Sequence, residues 1–167
     1  TLKILCRAED SQKHRGRIQG IDAARDAFYK GEIAEKIAKF MSDNPVEDAT
    51  GEAHHGLLSY DDIAEWRATV EEPVSFNYRG LEVHKCGPWT QGPVFLQQLG
   101  ILQGFDLKKL GHNTSEYIHT LIETAKLAFA DREAYYGDPN FDDVPLERLL
   151  SDEYSDDIAH ELAMVLA

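Results

Sequence analysis

In one stretch of this chain, apolar and polar side chains alternate with a period of two residues. In the segments on both sides of it, apolar residues recur at helical spacing. Residues 74–78 alternate apolar and polar side chains, and residues 81–83 do so again. This alternation is typical of strands, and the glycine-containing segment 77–80 between the two runs favours a hairpin turn. A single hairpin among helical segments predicts an α+β fold that is mostly helical.

The longest helical pattern extends from Ser115 to Tyr136. Asn113-Thr114-Ser115 supplies capping residues before it, and Gly137-Asp138-Pro139 ends it. Helical spacing predicts a single buried face, made of Ile118, Leu121, Ile122, Ala125, Ala128 and Phe129.

Shorter helices are predicted at residues 17–28, 33–41 and 155–166, and after Ser59, whose spacing to Asp62 resembles a capping box. The run 94–103 is apolar nearly all round and predicts a buried helix closed by Gly104. We expect a helix at the start of the chain followed by a polar loop from Glu9 to Gly16, and a second loop at residues 46–56.

The chain has 17 Lys and Arg against 30 Asp and Glu residues, which gives a net charge of −13. Such a surface repels phosphate backbones and anionic lipids, so we expect neither nucleic acid nor membranes as partners. Two cysteines, Cys6 and Cys86, are too few for a disulfide scaffold. We expect two buried free thiols, with a single disulfide bridge between them as the alternative. Two cysteines do not predict the cellular compartment.

Three histidine-containing patterns could hold a metal ion. Glu116 and His119 have the spacing of one arm of a carboxylate-bridged site, with Glu123 one turn further on. The helical wheel places all three away from the apolar face, so we interpret them as a solvated surface. Asp157 with His160, and the pair His54-His55, are interpreted in the same way, and no metal site is predicted.

The sequence contains neither a GxSxG nucleophile elbow nor a phosphate-binding glycine loop. Thr1 is not interpreted as an N-terminal nucleophile, because a helix-like stretch follows it where a strand would be expected. Two segments favour ligand contact instead. The loop 87–93 carries Trp89 and Gln91 before a buried helix, and Asp131-Arg132-Glu133 places a guanidinium between two carboxylates. The alternatives are a rigid turn and a structural ion pair.

Several motifs, taken in order, resemble the γ-glutamyltransferase family. The resemblance extends over roughly Arg17 to Tyr154. The matching segments are AFYKGEIA at 27–34, GLLSYDD at 56–62, YRG at 78–80, GPWTQGP at 87–93, ADR at 130–132, and YGDPNF at 136–141. Many members have PPPSSGG at the loop, and the WTQG version here is similar to cephalosporin-acylase-like relatives.

The resemblance implies a part of an N-terminal-nucleophile hydrolase with a four-layer αββα sandwich. Such precursors cleave themselves into a large and a small subunit, and the small one begins with a catalytic threonine that forms an acyl-enzyme with a γ-glutamyl group. Residues 1–167 would be a single incomplete domain from the later part of the large subunit. Its partners would be the rest of that subunit, the small subunit and γ-glutamyl small molecules, with no cofactor.

No catalytic residue of the family maps onto this chain, so we predict scaffold function without turnover by the chain alone. Trp89, Thr90, Gln91 and Gly92 are predicted to lie near substrate, and the structural signature is Asp131, Arg132, Gly137, Asp138 and Pro139. Surface that normally faces missing parts would be exposed, which favours oligomerisation. The alternatives are a stand-alone helical binding module, a β-lactam side-chain acylase of the same family and, from Glu116 with His119, a metal-dependent enzyme.

Overall fold

The computed structural model describes residues 1–166. These residues form two compact units, of which the first is Thr1–Thr69 and the second begins at Val70. Each unit has its own helices and one small antiparallel hairpin. That the whole chain is one incomplete domain stays a prediction, because two compact units can belong to one domain.

The first unit is mainly helical. Its elements are α1 Leu2–Gln12, α2 Arg17–Tyr29, α3 Glu32–Asp43, β1 Val46–Glu47, β2 Ala53–His54 and α4 Tyr60–Glu65. The predicted loop from Glu9 to Gly16 is wrong, because α1 continues through it and a 3₁₀ turn, Lys13–Arg15, follows. This part of α1 packs against α2: a Cβ at Gly20 would lie 3.1 Å from Cγ of Glu9, so the glycine lets the two helices approach closely.

The predicted loop at residues 46–56 contains a second, minimal hairpin, in which Val46 pairs with His54. Asp48 makes the turn, since its carboxylate accepts hydrogen bonds from the backbone N–H and the hydroxyl of Thr50. Gly51 follows with a φ of 83°. Turn chemistry rather than strand propensity produces this pairing, so apolar alternation could not reveal it.

The capping box before α4 is confirmed. The Ser59 hydroxyl accepts a hydrogen bond from the Asp62 N–H, and the Asp62 carboxylate accepts one from the Ser59 N–H. The Asp62 carboxylate also accepts a hydrogen bond from the Ser59 hydroxyl, and this bond, followed by the one from the Ser59 N–H, lowers the pKa of the Asp62 carboxyl. Beyond the helix, Trp66 stacks on Tyr29, with ring centroids 5.4 Å apart, and closes α4 against α2.

The second unit holds the predicted hairpin and five helices. Its elements are β3 Val74–Tyr78, β4 Leu81–Lys85, α5 Gly92–Gln103, α6 Leu107–Leu110, α7 Ser115–Tyr135, α8 Leu146–Leu149 and α9 Asp152–Leu166. The hairpin, the buried α5 and the long α7 are confirmed, and α9 begins three residues before its predicted start. The turn between the two strands consists of Arg79 and Gly80. Both residues have positive φ, as is typical of a two-residue hairpin turn.

Arg79 joins the hairpin to the end of α5. Its guanidinium donates hydrogen bonds to the carbonyls of Leu102, in the last turn of α5, and of Phe105, two residues beyond the end of the helix. The contacts stabilise a left-handed backbone at Arg79 that L-residues rarely adopt.

Helix α5 is the centre of the second unit and packs against α7, α9 and the hairpin. Two glycines let α9 approach: a Cβ at Gly100 would lie 2.4 Å from Oγ of Ser155, and one at Gly104 would lie 2.6 Å from Cβ of Ala159. Gly104 caps α5 with an ordinary φ of −69°. The predicted end of the helix at Gly104 is confirmed, and the contact with Ala159 shows that helix packing requires glycine at this position.

The predicted buried face of α7 is also wrong in large part. Thr120, Thr124 and Ala128 are buried, whereas Ile118 and Ile122 are 41% and 53% exposed. The small residues face the neighbouring helices and allow close packing, while the larger aliphatic side chains form a solvent-facing stripe. Apolar periodicity identified the helix but not its inward face.

Among residues 1–166, no helix is both long and apolar enough to cross a membrane. Cys6 and Cys86 are free, as expected, but both are exposed, so the prediction of buried thiols is wrong.

Candidate functional site

The loop before α5 is held in shape by the Thr90 side chain. Its hydroxyl donates a hydrogen bond to the Gly87 carbonyl at 2.9 Å and accepts one from the Gly92 N–H at 3.0 Å. A Cβ at Gly92 would lie 2.4 Å from the Cys86 carbonyl oxygen, so only glycine fits there. Trp89 remains 55% exposed, and its indole N–H donates to the Glu71 carboxylate at 2.8 Å.

The end of α7 and the turn after it form the opposite wall. Arg132 forms an ion pair with its neighbour Glu133. The Asp138 carboxylate accepts hydrogen bonds from the backbone and side-chain N–H groups of Asn140, both at 2.9 Å. This Asx-type bonding holds the turn that reverses the chain after the helix.

The loop and the turn enclose a cleft of about 740 Å³. Its lining residues are Pro88, Trp89, Thr90, Gln91, Arg132, Glu133, Tyr136, Gly137 and Asp138. A cleft of this size suits a small-molecule ligand. Two segments more than 40 positions apart, each singled out from the sequence, therefore line one site.

The remaining predicted residues lie outside the lining. Gly92 lies behind the loop as the first residue of α5, and Pro139 belongs to the turn. Asp131 bonds to Gln97 and Tyr154 and is not among the lining residues. The proximity of Trp89, Thr90, Gln91 and Gly92 to substrate stays a prediction, because the cleft shows their position and no ligand.

Behind the cleft lies a network of polar side chains. Gln97, which is 1% exposed, donates an N–H to Oδ2 of Asp131 at 2.8 Å and accepts the hydroxyl of Tyr136. The hydroxyl of Tyr154 lies 2.9 Å from both carboxylate oxygens of Asp131. The network connects α5, α7, α9 and the turn, and it fixes the Tyr136 ring that lines the cleft.

Both tyrosines of the network resist ionisation. Burial, followed by the nearby Asp131 charge, raises the pKa of Tyr136. Burial and the hydrogen bond to Asp131 raise the pKa of Tyr154 to about 12. Both hydroxyls therefore stay protonated, and act as donors, at neutral pH.

Gln97 and Tyr154 were missed by the sequence analysis. The signal for Gln97 was a polar residue within an otherwise apolar helix, since a buried amide needs partners. No local pattern indicated Tyr154, because its partner Asp131 is 23 positions away.

The histidine patterns remain on the surface. His119 lies 3.6 Å from Glu123, with 60% of its side chain exposed, and Glu123 also pairs with Lys126 at 2.8 Å. Residues 1–166 contain no group of three or more His, Cys, Asp or Glu side chains that could hold a metal ion.

Comparison with known proteins places these features in a family. The model of the family described as Gamma-glutamyltranspeptidase matches residues 18–164. The chain is 36% identical over 141 residues to the Glutathione hydrolase-like YwrD proenzyme of Bacillus subtilis, covering 84% of the chain and 25% of that protein. It thus spans about a quarter of the length of the curated relatives it matches.

Two solved structures have the same fold. Gamma-glutamyltranspeptidase of Helicobacter pylori is 30% identical with a TM-score of 0.71, over 84% of this chain and 38% of that chain. Cephalosporin acylase of Bacillus halodurans is 33% identical with a TM-score of 0.69, over 90% of this chain and 26% of that chain. The chain belongs to the γ-glutamyltranspeptidase family and has part of its N-terminal-nucleophile hydrolase fold, mostly helical with two small hairpins.

Proposed function

We propose that this chain is a scaffold segment of the large subunit of a self-processing γ-glutamyltransferase, which acts on glutathione-like γ-glutamyl amides. The nucleophilic threonine belongs to another part of that protein, where its hydroxyl forms the acyl-enzyme with its own amine as base. The observation that carries the proposal is the family match over residues 18–164 in a chain a quarter as long as its proenzyme relatives.

The exposed apolar stripe on α7 supports this placement. Ile118 and Ile122 are about half exposed, and Phe129 on the same face is 38% exposed. A stripe of this kind on a long helix favours packing against further protein. We assign the rest of the large subunit, or the small subunit, as the partner at this face, with homo-oligomerisation as the outcome expected of the chain alone.

The cleft would supply one wall near the substrate. Gln91 is the best probe, because it lines the cleft, is exposed and makes no side-chain hydrogen bond in capping α5. In the complete enzyme, Gln91→Ala should raise KM for a γ-glutamyl donor about two- to tenfold with kcat unchanged, the pattern of lost uniform binding. Gln98→Ala, which alters a glutamine outside the cleft lining, is the control.

The activity itself is tested with the complete polypeptide. A self-processed preparation should release p-nitroaniline from γ-glutamyl-p-nitroanilide, and the 167-residue chain alone should release none. Turnover by the pure chain would overturn the assignment of the nucleophile to another part of the protein.

A second candidate is an acylase acting on β-lactam side chains. The similarity to a cephalosporin acylase supports it, as does the WTQG sequence at the loop. Parallel kcat/KM measurements on glutaryl-cephalosporin and γ-glutamyl donors separate the two. A higher value for the cephalosporin would replace the first proposal by the second.

A stand-alone binding module is the remaining alternative. It predicts one species of 18.8 kDa in native preparations and ligand binding without any processed partner chain.

A further inference from the structure

The side chain of Trp89 is held at both of its ends. Its backbone lies in the turn closed by Thr90, whose N–H and hydroxyl donate to the Gly87 carbonyl at 3.0 and 2.9 Å. At the far end of the side chain, the indole N–H donates to Oε2 of Glu71 at 2.8 Å. The ring turns only about the two side-chain bonds that join it to the backbone, so these contacts together define its orientation.

The bond between Trp89 and Glu71 is charge-assisted. An indole N–H is a donor only and an ionised carboxylate is an acceptor only, so neither group can reverse its role. The length of 2.8 Å lies in the range of hydrogen bonds to ionised acceptors, which are about twice as strong as neutral ones. Because Trp89 is 55% exposed, packing covers less than half of its surface, and the hydrogen bond has a large share in fixing the ring.

The hairpin brings the two residues together. Its ladder ends with the pair Val74 and Lys85, at the end where the chain enters β3 and leaves β4. Glu71 lies three residues before this pair, and Trp89 lies four residues after it. The bond therefore bridges the two segments just beyond the ladder, and the register of the two strands places its donor and its acceptor side by side.

We infer that Glu71 is a positioning residue for the cleft, because its carboxylate sets the orientation of Trp89 in the cleft wall. Glu71 itself lies outside the lining, so it acts through Trp89. Without the bond, the ring can turn about its side-chain bonds, and this wall of the cleft loses its fixed shape. The inference deepens the proposed function, on which it rests for the claim that the cleft faces a substrate.

The first test is NMR spectroscopy of the 167-residue chain, in which Trp66→Phe leaves Trp89 as the only tryptophan. The measured quantity is the rate at which the indole N–H of Trp89 exchanges with water. Glu71→Leu removes the acceptor, so exchange should become roughly two- to tenfold faster, which corresponds to the loss of one net hydrogen bond. Glu71→Gln keeps a side-chain oxygen as acceptor and should restore most of the protection.

Glu72→Leu is the matched control, since it removes an equal charge from the neighbouring position. It should leave the exchange rate of the Trp89 indole unchanged, and the backbone amide spectra should show the same fold in all three variants. Equal exchange rates in Glu71→Leu and the unaltered chain would overturn the inference, and so would the same acceleration in Glu72→Leu.

Kinetics of the complete protein separate positioning from a purely structural role. Glu71→Leu should raise KM for a γ-glutamyl donor about two- to tenfold with kcat nearly unchanged, and Glu71→Gln should restore KM. A loss of folded enzyme would instead lower the maximal rate and leave KM unchanged. Faster indole exchange with an unchanged KM would overturn the role of Glu71 in the cleft.

The two proposals fail separately. If the complete protein turns over γ-glutamyl donors while Glu71→Leu does not change the indole exchange, only the positioning role is refuted. If Glu71→Leu accelerates the exchange and the complete protein shows no γ-glutamyl turnover, the proposed function is refuted and the control of Trp89 by Glu71 stands.

Discussion

Replacing Gln97 by leucine tests whether the buried network holds the cleft wall. The substitution keeps the side-chain volume and removes both hydrogen bonds. A net bond to a charged group contributes about 1.5–3 kcal/mol, and a bond between neutral groups contributes about 1 kcal/mol. The free energy of unfolding should therefore fall by about 3 kcal/mol, which corresponds to a Tm lower by roughly 6–12 °C.

Gln97→Glu tests the same network by making the stability of the fold depend on pH. The new carboxyl would be buried beside Asp131, so burial and the like charge should raise its pKa well above about 4.3. Below that raised pKa it can donate to Asp131 and accept from Tyr136. Stability is thus retained at low pH and lost as pH rises through the raised pKa, by about 1.4 kcal/mol for each pH unit between the two values.

Urea unfolding followed by circular dichroism at pH 5 and pH 8 measures both variants, with Gln98→Leu and Gln98→Glu as controls one residue away. The Gln97→Glu loss should be clearly larger at pH 8 than at pH 5, and the Gln98 variants should show no comparable change. A Gln97→Leu loss under 1 kcal/mol, or equal Gln97→Glu losses at both pH values, would refute the account of the network.

Three further predictions concern packing and the network. Gly100→Ala should destabilise the chain by about 1–3 kcal/mol, because its methyl group would meet Oγ of Ser155 at 2.4 Å, and Ser155→Ala should restore much of that loss. Thr124→Val should leave stability unchanged or raise it by up to about 1 kcal/mol, because Oγ1 of Thr124 is buried without a hydrogen-bond partner among residues 1–166. Tyr154→Phe should make the free energy of unfolding depend less on pH in the alkaline range. The pKa of Tyr154 is about 12 in the folded chain against about 10 in the unfolded chain, so Tyr154 stabilises the fold below pH 10, and this contribution is lost as pH rises to 12.

Each of these has a contrary result in the same unfolding assay. An additive double mutant would show that Gly100 and Ser155 are not in contact. A Thr124→Val loss above 1 kcal/mol would indicate a hydrogen bond that the structure does not contain. An unchanged alkaline profile for Tyr154→Phe would show that burial and the Asp131 contact do not raise the pKa of Tyr154.

Local rules predicted the parts of the fold whose causes lie within a few residues. The Ser59 box, the hairpin around Arg79-Gly80 and the length of α7 follow from capping, turn and periodicity rules. The inward face of α7 did not follow, because a close helix contact selects small residues such as Thr124 over larger apolar ones. The packing role of Gly104 did not follow either, because it depends on Ala159, a residue 55 positions later.

Prediction of the site was limited in the same way, by contacts between residues that are far apart in the sequence. Sequence alone selected the loop at Trp89 and the Arg132 to Asp138 segment, and the cleft brings them together. It could not supply the hydrogen bonds from Gln97 and Tyr154 to Asp131, because these depend on how three helices pack.

The most direct test of the central proposal is intact-mass analysis with N-terminal sequencing of an active preparation of the complete protein. The account predicts two polypeptides, one containing this sequence and a second that begins with threonine, and activity only when both are present. An active preparation without a threonine-initiated polypeptide, or γ-glutamyl turnover by the 167-residue chain alone, would contradict it.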